Sequence, residues 1–248
     1  MTGPILRAEH ITQTYDGEPV VQDVSLRLER GELVCLLGVS GSGKTTLFHV
    51  ISGLAAPAEG HVYLEGQEIT GQPGHVSYML QKDLLLSHKR IVDNVALPLV
   101  LRGEKKNAAR EKAASYFEQF GLGGTEYKYP AQLSGGMRQR AALLRTYLGS
   151  QGVALLDEPF SALDALTKSD IHTWYLRVME EIELSTLFIT HDIDEAIRLS
   201  DRIYILGGKP GRILEEMEIE PRRPRDKDFS LTPAFSEYKR HILSCLDK

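Results

Sequence analysis

The sequence predicts an α/β fold built on a largely parallel sheet. Three short apolar runs, at residues 33–37, 153–156 and 186–190, have the length and composition of strands buried on both faces. Each run is followed by polar residues and then by a segment with helical spacing, an alternation that is typical of parallel sheets. The chain has 248 residues, 42% of them hydrophobic, and is long enough to enclose such a core together with a smaller lobe.

The first thirty residues follow a different pattern. Apolar and polar positions alternate over residues 4–29, with a break at Asp16-Gly17-Glu18-Pro19. Alternation with such a turn predicts antiparallel strands that are exposed on one face. We therefore expect an N-terminal antiparallel β subdomain beside the parallel sheet.

Between residues 82 and 148 the pattern becomes helical, which predicts a helical subdomain inserted between strands of the core. One helix is expected to close at Gly121. Its helical spacing is carried by Ala113, Tyr116, Phe117 and Phe120. The insertion begins irregularly, and the leucines of residues 84–86 are either local core or a contact surface.

A glycine-rich segment joins the first buried run to a helix expected over residues 44–52. Without side chains, glycine lets backbone N–H groups converge on phosphate oxygens, and the helix start adds free donors. Lys44 can neutralise phosphate charge, and the Thr45 hydroxyl can bind Mg²⁺. The segment therefore predicts a site for ATP and Mg²⁺, against the alternative of a glycine-rich turn with a surface lysine. It consists of Gly38, Val39, Ser40, Gly41, Ser42, Gly43, Lys44, Thr45 and Thr46.

Polar residues follow three other predicted strands, and carboxyl ends of parallel strands meet at one edge of a sheet. We expect Asp157 to bind Mg²⁺ together with Thr45, and Glu158 to orient or deprotonate the attacking water. Gln81 and His191 are candidate sensors of the γ-phosphate, and Gln81 is also a candidate metal ligand. Taken singly, such an aspartate is often a helix cap and such a histidine is often structural.

A second anion site is predicted at residues 133–140, Leu-Ser-Gly-Gly-Met-Arg-Gln-Arg. Ser134 can cap the following helix, while Gly135 and Gly136 expose backbone donors at its positive end. One triphosphate is already held by the first loop. The second site would be explained if it faced the nucleotide of another copy, and otherwise it is a capped helix without a ligand.

Composition limits the remaining classes of function and of cellular location. The net charge of −5 gives no indication of a nucleic-acid partner, and two distant cysteines, Cys35 and Cys245, predict neither a disulfide nor a metal framework. We expect no signal peptide in residues 1–30, and no apolar run approaches the roughly 18 residues of a membrane span. Residues 221–228 are expected to form a linker and residues 233–246 a short terminal helix.

With these motifs in place, the chain resembles the ATP-binding subunits of ABC transporters over nearly its whole length. The resemblance implies a P-loop NTPase core over residues 1–220 and a C-terminal linker and helix over residues 221–248. It also implies that Tyr15 stacks on adenine, and that Met137 replaces a glutamine that many members have. The matching motifs are GVSGSGKTT at 38–46, Gln81, LSGGMRQR at 133–140, VALLDEP at 153–159, Ser161–Asp164 and His191.

The resemblance further implies a head-to-tail dimer. Each ATP would lie between the phosphate loop of one copy and residues 134–136 of the other. A membrane-spanning permease would dock near Leu84, Leu85, Leu86 and His88, at the cytoplasmic face of the membrane. The chain also resembles importers of nitrate, sulfonates, taurine or thiamine-related pyrimidines, which use an extracytoplasmic solute-binding protein as well.

Other classes stay open on the sequence alone. They are a soluble ABC protein acting on ribosomes or nucleic acid, an exporter subunit, a small-molecule kinase and a nucleotide switch that barely hydrolyses ATP. A single cassette, a negative net charge and no sustained heptads disfavour the first. A kinase has no need of residues 133–136, and Glu158 disfavours a switch without hydrolysis.

Overall fold

The structure, a computed structural model, describes residues 3–161, 165–223 and 225–246. Two sheets carry the described part of the chain. The first is antiparallel, in the order β2-β1-β4-β5. Its strands are β1 (Leu6–Tyr15), β2 (Glu18–Leu28), β4 (Glu59–Leu64) and β5 (Gln67–Glu68). The predicted N-terminal antiparallel sheet is confirmed, and β1 alternates between buried and partly exposed residues as expected.

The second sheet has six strands in the order β10-β9-β3-β8-β7-β6, and all its neighbours are parallel except β9 and β10. Its strands are β3 (Leu33–Gly38), β6 (Ser77–Met79), β7 (Val153–Asp157), β8 (Ser185–Thr190), β9 (Arg202–Gly207) and β10 (Arg212–Glu218). Every residue of β3, β7, β8 and β9 is buried, because elements pack on both faces of the sheet. The prediction of a largely parallel sheet is confirmed.

Eight α-helices surround or extend this sheet in the described residues. Four of them form the helical lobe between β6 and β7, and α8 ends the described chain. They are α1 (Lys44–Ile51), α2 (Ile91–Val95), α3 (Leu97–Leu101), α4 (Lys106–Ala114), α5 (Gly135–Gly149), α6 (Ala165–Ile182), α7 (Ile193–Leu199) and α8 (Pro233–Leu246).

The helix expected to close at Gly121 was predicted too long, because α4 ends at Ala114. From Tyr116 onward the backbone changes to tight turns, with Tyr116 N–H donating to the Ala113 carbonyl at 3.2 Å. This change lets Phe120 enter the core, where its ring centroid lies 5.8 Å from that of Trp174. Helical spacing detected the buried aromatic side chains but not the end of the helix.

The terminal helix α8 packs against α7 and β9, and it buries Phe235, Ile242 and Cys245. The segment before it is fixed by Arg225, whose guanidinium donates to the carbonyls of Ser200 at 2.8 Å and Ile219 at 3.0 Å. Burial lowers the pKa of Arg225 to about 10. The predicted linker is thus tied to the main sheet by side-chain hydrogen bonds.

Candidate functional site

The glycine-rich segment forms a tight turn between β3 and α1. A side chain at Gly38 would collide with the backbone carbonyl of Leu206 on the neighbouring strand. Gly43 has φ +94°, a conformation that glycine adopts without strain, and it stands immediately before the helix. Both glycines are therefore required by the path of the backbone, which leaves the helix start open on the cleft side.

Lys44 is folded back over this turn. Its ammonium donates to the carbonyls of Gly38 and Val39, both at 2.8 Å. Burial lowers the pKa of Lys44, against the opposing attraction of Glu158 and Asp157. The hydroxyl of Ser42 is buried and has no hydrogen-bond partner among the described residues. A cation and an unsatisfied polar group lie in one turn, which fits a phosphate group bound there.

Two oxygen ligands meet beside the turn. The Thr45 hydroxyl donates to the Asp157 carboxylate at 3.3 Å, and the Tyr78 hydroxyl donates to the same carboxylate oxygen at 3.2 Å. Burial raises the pKa of Asp157, although both hydrogen bonds act in the opposite direction. A hydroxyl and a carboxylate suit Mg²⁺, a hard ion that is held by few protein oxygens in phosphate sites.

Glu158 is held from two sides. The Gln81 amide donates to one carboxylate oxygen at 3.0 Å, and His191 Nδ1 lies 3.0 Å from the other. The backbone of Glu158 has φ +45°, and its N–H donates to the Ile189 carbonyl at 3.0 Å. A non-glycine residue in this region is uncommon, and such conformations cluster at functional sites. The carboxylate is therefore positioned by residues from three strand ends.

These groups line one cleft of about 690 Å³. The lining residues are Val20, Ser40, Gly41, Gly43, Lys44, Thr45, Thr46, Gln81, Asp157, Glu158, Ile189 and His191. The structure thus brings together the predicted residues of the loop and the four strand ends. Gly38, Val39 and Ser42 belong to the turn but not to the lining, and Val39 is exposed.

Two predicted parts lie outside the cleft lining. Tyr15 is at the end of β1 with its side chain 46% exposed. Ser134 caps α5, where its hydroxyl accepts from the Met137 N–H at 3.3 Å, and both Ser134 and Gly135 are exposed. Of the segment at 161–164, Ser161 donates its hydroxyl to the Glu158 carbonyl at 3.0 Å. Residues 162–164 lie outside the described residues.

Tyr78 was not identified from the sequence as a site residue. It is the middle residue of the short strand β6, and it reaches Asp157 because β6 pairs with β7. Gln139 was also missed. Its amide donates to the Pro159 carbonyl and so joins α5 to the segment after Glu158. Both contacts link residues far apart in the chain, and no local pattern reports them.

The irregular start of the helical lobe has one exposed edge. Leu84 is 52% exposed and His88 is exposed, whereas Leu85 packs against the core and Leu86 is partly buried. Buried Asn94 fixes this loop, since its amide accepts from the Leu86 N–H at 2.6 Å and donates to the Leu86 carbonyl at 3.1 Å. The leucines therefore divide between local core and surface.

Comparison with known proteins identifies the same region. The family model described as ABC transporter matches residues 21–161. The formylaminopyrimidine import ATP-binding protein ThiZ of Halalkalibacterium halodurans is 41% identical, covering 99% of this chain and 98% of its own. The taurine import ATP-binding protein TauB of Escherichia coli O157:H7 is 36% identical, covering 97% of this chain and 96% of its own.

A solved structure gives the corresponding fold. A dimeric ATP-binding cassette in a post-hydrolysis state, with ADP and phosphate bound, superposes with a TM-score of 0.74 at 28% identity. The match covers 88% of this chain and 100% of the solved one. Among the residues described for the present chain, no helix has both the length and the apolar character needed to cross a bilayer.

Proposed function

This chain belongs to the ABC transporter family, and we propose that it is the ATP-hydrolysing subunit of an importer that takes up a small solute through a separate membrane subunit. The observation that carries the proposal is the constrained Glu158 carboxylate beside a phosphate-binding turn. A turn without a positioned base would bind a nucleotide without a clear means of hydrolysing it.

Hydrolysis of the terminal phosphate requires a positioned water and compensation of negative charge. In this proposal Glu158 orients the water or accepts its proton. Gln81 and His191 hold the carboxylate and sense whether the γ-phosphate is bound. Lys44 and the turn N–H groups bind the phosphates. Mg²⁺, when bound by Thr45 and Asp157 with Gln81 nearby, neutralises phosphate charge.

The residues proposed to contact the adenine, and those proposed to contact the phosphates from the second copy, lie outside the cleft lining. Tyr15 is available for stacking because its ring is exposed beside the hairpin that precedes Val20. Residues 134–136 are available to a second copy, since they form an exposed helix start. We propose that two chains enclose two ATP molecules head to tail, and that binding closes the dimer while hydrolysis opens it.

The proposed membrane contact is the exposed edge of the loop at Leu84 and His88, with Leu85 and Leu86 behind it. The position of the chain is then peripheral, at the cytoplasmic face of the membrane. Relatives named for the import of formylaminopyrimidine, aliphatic sulfonates and taurine support a solute that is a pyrimidine-like compound, taurine or another sulfonate. An extracytoplasmic solute-binding protein would complete the system.

Affinity purification of the tagged chain from detergent-solubilised membranes tests this proposal, with mass spectrometry of the copurifying proteins. We expect a protein with several membrane spans and a solute-binding protein. Leu84→Asp should reduce recovery of the membrane protein, because it places a charge on the exposed contact edge. Asp is tolerated in the left-handed conformation that Leu84 adopts, at φ +45°.

Leu231→Asp is the matched control, since Leu231 is 81% exposed and lies next to the terminal helix instead. Equal recovery of the membrane protein with both variants would contradict the contact at Leu84. Recovery of ribosomal or DNA-associated proteins in place of any membrane protein would contradict the importer, while leaving the ATPase chemistry of the cleft unaffected.

A further inference from the structure

Three side chains with metal-binding atoms meet where the terminal helix crosses the edge strand β10. Glu215 comes from β10, while His241 and Cys245 lie one turn apart on α8 and therefore on the same face of that helix. This cluster lies outside the nucleotide cleft, and neither the hydrolysis chemistry nor the proposed dimer uses it.

The separations within the cluster are close to the edges of a tetrahedron around one ion, and one ligand atom from each residue lies within 4.8 Å of the others. His241 Nε2 lies 3.3 Å from Glu215 Oε1, and Cys245 Sγ lies 3.8 Å from both Glu215 Oε2 and His241 Nε2. Tetrahedral zinc has Zn–N and Zn–O distances of about 2.0–2.2 Å and Zn–S of about 2.3 Å, which place ligand atoms about 3.3–3.6 Å apart. Small side-chain rotations would bring all three atoms into place.

Two other exposed histidine–carboxylate pairs of this chain are shorter. His10 and Asp23 approach to 2.7 Å and His61 and Glu68 to 2.8 Å, as direct hydrogen bonds do. At 3.3 Å the His241 pair is longer, and a sulfur atom shares it. The His241 ring nitrogen, the Cys245 sulfur and the Glu215 carboxylate thus lie close enough together to reach one ion, an arrangement that a simple histidine–carboxylate pair does not require.

We propose that Glu215, His241 and Cys245 bind Zn²⁺ and thereby fasten α8 to the edge of the parallel sheet. A mixed set of nitrogen, sulfur and carboxylate oxygen suits zinc and does not suit Mg²⁺ or Ca²⁺. On binding, the Cys245 thiol loses its proton to solvent and its sulfur bonds to the metal. A carboxylate and a thiolate then balance the two positive charges.

Solvent reaches one side of this site. The side chains of His241 and Glu215 are 49% and 39% exposed, so a water molecule can take the fourth position. Cys245 is only 5% exposed and anchors the site beneath the helix. The other cysteine, Cys35, is buried within β3 and cannot contribute.

Competition titration of the purified full-length chain with Zn²⁺ and a chromophoric chelator tests the site, after removal of metal with EDTA and without nucleotide. We expect one zinc per chain. Cys245→Ser and His241→Gln should each weaken binding about 10-fold or more, since loss of even an outer partner of a zinc ligand costs about 10- to 100-fold. His61→Gln is the matched control and should bind zinc as the unaltered chain does.

Two further readouts separate a metal site from a merely structural cluster. Co²⁺ should give a thiolate charge-transfer band that is lost in Cys245→Ser, and Zn²⁺ should raise the midpoint of thermal unfolding of the unaltered chain but not of that variant. Glu215→Gln provides a second test if Cys245→Ser unfolds in EDTA. Equal zinc affinity of the unaltered chain and these variants, or a cobalt complex without the thiolate band, would overturn the proposal.

Discussion

The nucleotide cleft and the helix start at residues 134–136 are the two places where we propose that phosphate binds, and only the cleft brings its residues together within one chain. In the cleft, residues from four strand ends converge on a single volume, and Glu158 already has partners on both carboxylate oxygens. At the start of α5 the donors are exposed and lie outside that volume.

The difference follows from how each site is built. Parallel strands place their carboxyl ends at one edge of the sheet, so the cleft forms whenever the sheet forms. The start of α5 belongs to the helical lobe, where Gly135 is exposed and Gly136 is partly exposed, and in our proposal it gains a ligand only from a second copy. In the proposed function, the cleft binds the nucleotide, and residues 134–136 of a second copy complete the site for turnover.

Glu158→Gln should have the largest effect on turnover. The amide keeps the hydrogen-bonding shape of the side chain but cannot accept a proton, so kcat should fall by about 10²–10⁴-fold while ATP affinity is retained. Steady-state ATPase assays and equilibrium nucleotide binding, measured on the same preparation, check this. Normal turnover by Glu158→Gln would show that Glu158 is not the group that activates water.

Gly136→Glu should lower kcat by about 10²-fold without weakening ATP binding to the single chain, because it sets a negative charge against the partner's phosphate. An acidic residue in the first turn of a helix is otherwise favourable, so α5 should persist. Asn107→Glu, in the first turn of α4, is the matched control for an added charge in the same lobe. Weaker nucleotide binding to the monomeric Gly136→Glu chain would place this residue in the cleft instead.

Lys44→Ala should weaken ATP binding itself by roughly 10- to 100-fold, the cost of losing a charged hydrogen-bond donor to phosphate. The exposed Lys105 at the start of α4 in the helical lobe provides the control, since Lys105→Ala removes the same charge outside the cleft lining. Equilibrium binding of a fluorescent ATP analogue measures the difference. Equal affinity of the two variants would count against the role of Lys44.

Tyr78→Phe should have the smallest effect, confined to acidic pH. The Tyr78 hydroxyl stabilises the charged form of Asp157, so its removal raises the pKa of Asp157 further above the usual aspartate value. Protons then compete with Mg²⁺ for Asp157 at a higher pH, and the acid limb of the ATPase profile should move to higher pH. Activity above pH 8 should stay the same.

Tyr127→Phe, at an exposed tyrosine of the helical lobe, should leave the profile unchanged. An acid limb that Tyr78→Phe does not move would mean that protonation of Asp157 does not set it.

The sequence predicted the parts of the fold that depend on neighbouring residues. The glycine-rich turn, the start of α1 at Lys44 and the cap of α5 by Ser134 are each encoded within a few residues. The buried strands were predictable because continuous apolar runs of that length have few alternatives. The two-residue strand β5 was not, because both of its residues are exposed and give no apolar pattern, and the end of α4 was not, because the helical spacing of apolar residues continues beyond it.

The candidate site, like the fold, was predictable only where neighbouring residues encode it. Its motifs identified Lys44, Thr45 and Asp157, but contacts between distant segments had no local signal. Tyr78 reaches Asp157 through strand pairing, and Glu215 meets Cys245 through the docking of α8 on β10. From two distant cysteines the sequence predicted no metal framework. It could not show that Cys245 and His241, both on α8, lie beside Glu215 of β10.

The central claim is that one chain holds ATP and that residues 134–136 of a second chain complete the site. The most direct test is the solution mass of Glu158→Gln with ATP and Mg²⁺, measured by light scattering after size exclusion. We predict that Glu158→Gln is a dimer with ATP and a monomer with ADP. The double variant that also carries Gly136→Glu should be a monomer with either nucleotide. A Glu158→Gln chain that binds ATP yet stays monomeric, or a dimer that persists with Gly136→Glu, would contradict the claim.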